Sequence, residues 1–182
     1  MVGDSNAATE ATRNRILDKA GELFFQFGFK RVTMDDIARE LGMSKKTIYL
    51  YVSGKDALVE AFVLRFMEET VGAALAKFQG AEDVVQLTRK LFPFLRDRLS
   101  MISPVMMGDM QRYYPHLWEQ INERRLAVLA HYLGLIERDR ERGLIRPEVN
   151  PKVMVKIIMT VVQEVANPAT FLELQVPIHE VM

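Results

Sequence analysis

A chain of 182 residues, 49% of them apolar, is long enough for one large domain, or for a small one joined to a larger, with a sizeable core. Cysteine is absent, which excludes disulfides and thiolate metal sites, and 24 basic residues are balanced by 24 acidic ones, so no overall basic excess advertises a nucleic-acid partner. No apolar run approaches the ~18 residues of a membrane span, and the opening "MVGDSNAATEATR" lacks the hydrophobic segment of an export signal, so a cytoplasmic location without a membrane partner is expected.

In chain order, Ile16, Leu17, Ala20, Leu23, Phe24 and Phe27 fall on one face of a helix, and Gly28 is placed to end it as a left-handed cap. Thr33 followed by Asp36 fits a capping box that opens a short helix through Leu41. Gly42 interrupts, Ser44 starts another short helix, and Ser53 with Asp56 is expected to open a long one through about Phe78. Val84, Leu87, Leu91, Phe94, Leu95 and Leu99 predict a helix over 81–100, which Pro93 should kink or end midway. Ser103 and Pro104 open a methionine-rich piece to Tyr114. Pro115 begins a long helix to Arg142, closed by Gly143, and after the turn-rich "RPEVNP" an apolar helix spans Lys152 to Val165 before Asn167 and Pro168. No strand alternation competes, so the fold class is all-α.

The stretch "MSKKTIYLYV" has an unusual outer face for a surface helix, cationic and aromatic with no acid. Residues 1–55 carry nine Lys or Arg against seven Asp or Glu, a slight excess, but from Gly42 to Lys55 there are three lysines and no acid. Two short helices that cross steeply need a small residue at closest approach, a turn residue tolerant of positive φ, and an apolar anchor on the second helix. Ala38, Gly42 and Ile48 supply these in order. In such a helix-turn-helix the second helix enters a major groove by its N-terminal part, so Ser44, Lys45, Lys46 and Tyr49 become candidate contacts to phosphates and base edges, with Thr33 and Lys55 at the starts of neighbouring helices. The plainer readings are that Thr33 and Ser44 are only caps, that Tyr51 and Val52 pack inward, and that the lysines form a solvated face.

The run "TRNRILDKAGELFFQFGFKRVTMDDIARELGMSKKTIYLYVSGKDALVEAF", Thr12 to Phe62, resembles the DNA-binding domain of the TetR family of bacterial transcriptional regulators. Ile16, Ala20, Phe24, Gly28, Thr33, Ile37, Ala38, Gly42, Ser44, Thr47, Tyr49, Tyr51, Lys55 and Leu58 carry the resemblance, and Val52 departs from it where the family often has phenylalanine. The resemblance implies a homodimer that reads a palindromic operator on double-stranded DNA, and a C-terminal helical domain that binds a small-molecule effector. It places DNA contacts at Thr33, Lys45, Lys46, Thr47, Tyr49, Tyr51 and Lys55. It also implies a dimer interface made by the last two helices of each subunit; here "VPIHEVM" reads as only the opening turn of the second, which suggests a shortened version of a longer chain.

The domain division expected is residues 1–52 for DNA binding and 53–182 for ligand binding and dimerisation. Within "PVMMGDMQRYYPHLW", Met106, Met110, Tyr114 and Trp118 offer adaptable apolar and aromatic walls, which Phe66, Phe92 and Met159 can face from other helices, so a largely apolar effector is expected there. Core packing competes for each of these residues singly. Asp109, Gln111, Arg112 and His131 are candidate polar contacts. His116, His131 and His179 stand far apart with no carboxylate at metal-ligand spacing, and no phosphate loop occurs, so neither an enzyme, a metal nor a cofactor is expected. The function expected is a ligand-responsive repressor. Its rivals are a helical ligand-binding protein whose helix-turn-helix is a relic, and a module whose lysine and tyrosine face meets an acidic protein.

Overall fold

The computed structural model describes residues 2–165, and within them all side chains except those of residues 2–6, 127, 159 and 161–165. The expectations for "VPIHEVM", for Asn167 and Pro168, for His179 and for the side chain of Met159 therefore lie outside the described residues. Eight helices are present among those described: α1 Val2–Arg31, α2 Met34–Leu41, α3 Lys45–Ile48, α4 Lys55–Gln79, α5 Val84–Ser100, α6 Pro104–Tyr113, α7 Pro115–Glu141 and α8 Pro151–Val165. None of them is long and apolar enough to cross a membrane.

The helix boundaries follow local chemistry, with three differences from the sequence-based reading. Gly28 does break α1, but with φ 79° and ψ 172°, a region open almost only to glycine, and a further helical turn resumes to Arg31. It is a kink, not a left-handed cap. Ser53 does not cap α4: Gly54, extended at φ 162°, occupies the N-cap without a side-chain bond, and Asp56 is instead engaged by Tyr114. Pro93 does not end α5; Pro93 and Arg89, whose carbonyl it frees, both lie on the exposed side, where water can satisfy that group.

Two apolar cores run along the molecule. The first gathers Ile16, Ala20, Phe24 and Phe29 of α1, Ile37 and Leu41 of α2, Ile48 of α3 and Leu58, Val59, Phe62 and Val63 of α4, and it also takes in Met106 and Met110 of α6, Tyr114 and Leu117. Edge-to-face rings knit it together, with Phe24 5.1 Å from Phe29 and 5.6 Å from Phe62, and Phe25 5.2 Å from Phe62. Burying each such ring contributes about 2–3 kcal/mol. The second core joins Ala74 of α4, Val84, Leu87 and Leu91 of α5, Tyr132, Leu135 and Ile136 of α7 and Val155 of α8. At its edge the fully buried Asp139 accepts the Val84 N–H at 2.6 Å, tying the start of α5 to the end of α7. Val153 and Ile157 stand exposed on the outer side of α8.

Candidate nucleic-acid interface

The small head is set by two helix starts and the turn between them. Thr33 and Asp36 form the expected capping box: the Thr33 N–H donates to Asp36 Oδ2 at 3.0 Å and the Asp36 N–H to Thr33 Oγ1 at 3.2 Å. The Thr33 hydroxyl, which also donates to Asp36 Oδ2 at 2.6 Å, and then the Thr33 N–H, helped by Arg39, hold the Asp36 carboxyl below the ordinary aspartate range. Gly42, at φ 64° and ψ 30°, makes the left-handed turn, and Ser44 caps α3 by accepting the Thr47 N–H at 3.0 Å. Ala38 and Ile48 are buried where the crossing helices need a small residue and an anchor.

With Ile48 turned in, the opposite face of α3 is forced out. Ser44, Lys45, Lys46 and Tyr49 are exposed, Tyr49 with 50% of its surface. Leu50 joins them at 76% exposure, whereas Val52, its companion in the sequence, is buried, and Tyr51 is half-buried against the first core. Thr47 is half-buried beside the cap, 2.8 Å from the Ser44 hydroxyl. The acid-free run is not acid-free in space: Asp35 of α2 meets Lys45 with both carboxylate oxygens, at 3.0 and 3.1 Å. No local pattern announces that pair, since the two residues come from different helices. Both ends are well exposed, so the bridge is weak and a phosphate can displace it. Lys46 makes no ion pair among the described residues.

Lys55 is half-buried and turned toward α1, where its ammonium donates to the Lys30 carbonyl at 3.1 Å; burial pushes its pKa down. Beside it lies an open groove of about 560 Å³ lined by Lys30, Asp56, Tyr113, Tyr114 and the exposed His116 among others. Two further bonds reach the α6–α7 region, one from the head and one from the start of α4. Asp109 Oδ2 accepts the Lys30 N–H at 2.7 Å, immediately past the Gly28 kink, and the Tyr114 hydroxyl donates to Asp56 Oδ1 at 2.8 Å. Burial and that bond hold the phenol well above its ordinary pKa.

The predicted effector residues divide. Met106, Met110 and Tyr114 share the first core with the α1 phenylalanines, and Trp118 packs against it. Phe66 lies 5.3 Å from Phe25 and 6.2 Å from Phe62, under the Arg98 guanidinium at 4.7 Å, while the half-buried Phe92 joins neither core. Asp109 serves the joint, Gln111 and Arg112 are exposed, and the exposed His131 sits 5.8 Å from the Phe78 ring.

Comparison with known proteins bears on the same region. Residues 16–62 match the family described as "Bacterial regulatory proteins, tetR family". Along most of its length the chain is similar to the uncharacterized HTH-type transcriptional regulator YvaF of Bacillus subtilis (strain 168), 27% identical over 92% of this chain and 88% of the other. In fold it is similar to the fatty acid degradation regulator FadR from Bacillus halodurans, with TM-score 0.67 and 19% identity over 93% of this chain and 89% of that one. It is also similar to FadR from Bacillus subtilis solved in complex with stearoyl-CoA, with TM-score 0.65 and 15% identity over 91% of each chain.

Proposed function

From the premise that the chain belongs to the TetR family of bacterial transcriptional regulators, and is a DNA-binding regulator, not an enzyme, we propose that it acts as a ligand-responsive repressor. In this reading a homodimer places two copies of α3 in successive major grooves of a palindromic operator, with half-sites about 34 Å apart. Residues 1–52 form the reading head and 53–182 the effector and dimer domain. The observation that carries the reading is the outward face of α3, where Ile48 anchors the helix and leaves Ser44, Lys45, Lys46 and Tyr49 exposed together. Lys46 and, once released from Asp35, Lys45 meet phosphates or guanine edges. Tyr49 gives a hydroxyl to a phosphate or a ring to a thymine methyl. Thr33, Ser44 and Thr47 present helix starts to the backbone, Tyr51 steadies the end of α3, and Lys55 exchanges the Lys30 carbonyl for a phosphate.

The exposed Val153 and Ile157 of α8 suit the dimer contact. Control by a small molecule is supported by the FadR of Bacillus subtilis, whose structure holds stearoyl-CoA. The head is bonded to α6 through Asp109, and α4, whose Asp56 is bonded to Tyr114, runs from the first core into the second, so a ligand that favours one placement of these helices changes the spacing of the two reading heads. By linkage, effector and operator then weaken one another to equal extents.

The test is a salt titration of binding to the DNA upstream of the protein's own gene, with unrelated duplex of equal length as control. The expected outcome is a strong preference for the upstream fragment, and a log–log slope of about −0.9 per phosphate contacted. Lys45→Glu together with Lys46→Glu should abolish that binding. Indifference to this double charge reversal would favour the relic, and binding to no duplex even at low salt would sink the repressor reading.

A further inference from the structure

Two carboxylates open α2, and they are used differently. Asp36 closes the capping box with Thr33 and pairs with Arg39. Asp35 takes no part in the cap. Its one bonded partner among the described residues is Lys45, whose ammonium stands 3.0 Å from Oδ1 and 3.1 Å from Oδ2. The two lysines of α3 are therefore unequal. Lys46 is exposed without an ion-pair partner among the described residues, whereas Lys45 and Asp35 together are neutral. An acid stands on a face that has to approach a polyanion, which weakens attraction to the DNA backbone.

That neutrality decides what Lys45 can usefully meet. A phosphate that displaces the bridge exchanges one anionic oxygen for another and leaves the Asp35 carboxylate facing the same backbone. Little is gained by it. An ammonium has three donors, however, and the two oxygens of Asp35 occupy at most two of them. The remaining N–H can reach an uncharged acceptor while the carboxylate stays in place, and guanine O6 and N7 are the uncharged acceptors that lysine meets in a major groove. Full release from Asp35 is needed only for a phosphate. The pair thus keeps a directed donor and loses most of the ammonium's pull on the backbone.

We propose that Asp35 is a positioning residue that sets sequence specificity through Lys45: it aims the ammonium at a guanine edge and withholds it from phosphates. Lys46 then holds the DNA and Lys45 reads it. This rests on the reading of α3 given above. The side chains are 50% and 67% exposed, so the bridge is weak and its effect is a matter of a few-fold.

The test selects duplexes from a random pool with wild type, Asp35→Asn and Lys45→Ala, and titrates wild type and Asp35→Asn with salt on an unrelated duplex. The wild-type site should carry one guanine per half-site whose preference Lys45→Ala relaxes while the other positions keep theirs. Asp35→Asn should relax the same guanine and, as the freed lysine takes a phosphate, steepen the salt slope on the unrelated duplex by about 0.9. Binding to that duplex should tighten about twofold to fivefold. An acid that served only the dipole of α2 would lower Tm in Asp35→Asn and move neither the guanine nor the slope. One that merely repelled DNA would tighten every duplex alike and leave the base preferences as they are. Either result overturns the proposal, as does a wild-type site with no guanine that Lys45→Ala relaxes. The reading of α3 fails separately: if wild type enriches no sequence, that reading falls and this proposal with it, whereas an enriched site with base preferences unmoved by Asp35→Asn removes this proposal alone.

Discussion

At Gly28 the backbone takes φ 79°, and a β-carbon there would stand 2.8 Å from both the Asp109 carboxylate and the Val105 side chain. Gly28→Ala therefore combines backbone strain with a clash against α6, and we expect a loss of at least about 1–3 kcal/mol in denaturant unfolding. Val105→Ala removes one of the two obstructing groups, so the double variant should recover part but not all of that loss. A second residue-scale prediction concerns pH. The Asp36 carboxyl is held below its ordinary range by Thr33, so its contribution to stability is fully present above the unfolded value, about 3.9, and disappears as pH falls through the lower folded one. Asp36→Asn deletes that contribution, and Tm of the variant should fall less steeply than wild type on acidification below about pH 4. Parallel acid limbs would show that the capping box carries none of the acid sensitivity.

α3 has only four residues in regular helix, too few to hold themselves, and owes its shape to the Ser44 cap at one end and the buried Ile48 at the other. Ser44→Ala should cost about 1 kcal/mol. Lys46→Ala should leave stability unchanged and lower the magnitude of the salt slope of DNA binding by about 0.9, the signature of one lost phosphate contact. An unchanged slope would move Lys46 off the interface. This element was legible in the sequence because its determinants are local: Thr33 with Asp36, Gly42, and Ser44 with Thr47 are all within a turn of what they stabilise. Where a cap had a distant competitor, the local pattern misled. Asp56 sits three residues after Ser53 like a capping partner, yet it bonds Tyr114, 58 residues away. Lys45 meeting Asp35 and Asp109 reaching the Lys30 N–H are likewise facts of tertiary packing, invisible to any window along the chain.

On the scale of the molecule, α6 is far from the head in sequence but part of it in packing, because Met106 and Met110 complete the core that Phe24 and Phe29 begin. Met106 and Met110, for which the sequence leaves cavity wall and core packing both open, pack in the core on which the head rests. Met110→Ala should therefore cost about 2–5 kcal/mol, as other buried large-to-small changes do. Where that cost is felt is the sharper expectation. Hydrogen exchange should show faster amide exchange in α1 and α2, which share the first core with Met110, and less change across the break between the two cores, around Leu87 and Ile136. Leu87→Ala, buried in the second core, should give the reverse pattern. If both variants instead loosened the whole chain equally, the two cores would be one cooperative unit, and the layer between them would transmit strain rigidly. If the patterns separate, that layer is the seam at which the molecule can divide its response. A change in how α4 leaves the first core would then move the head while leaving the second core in place.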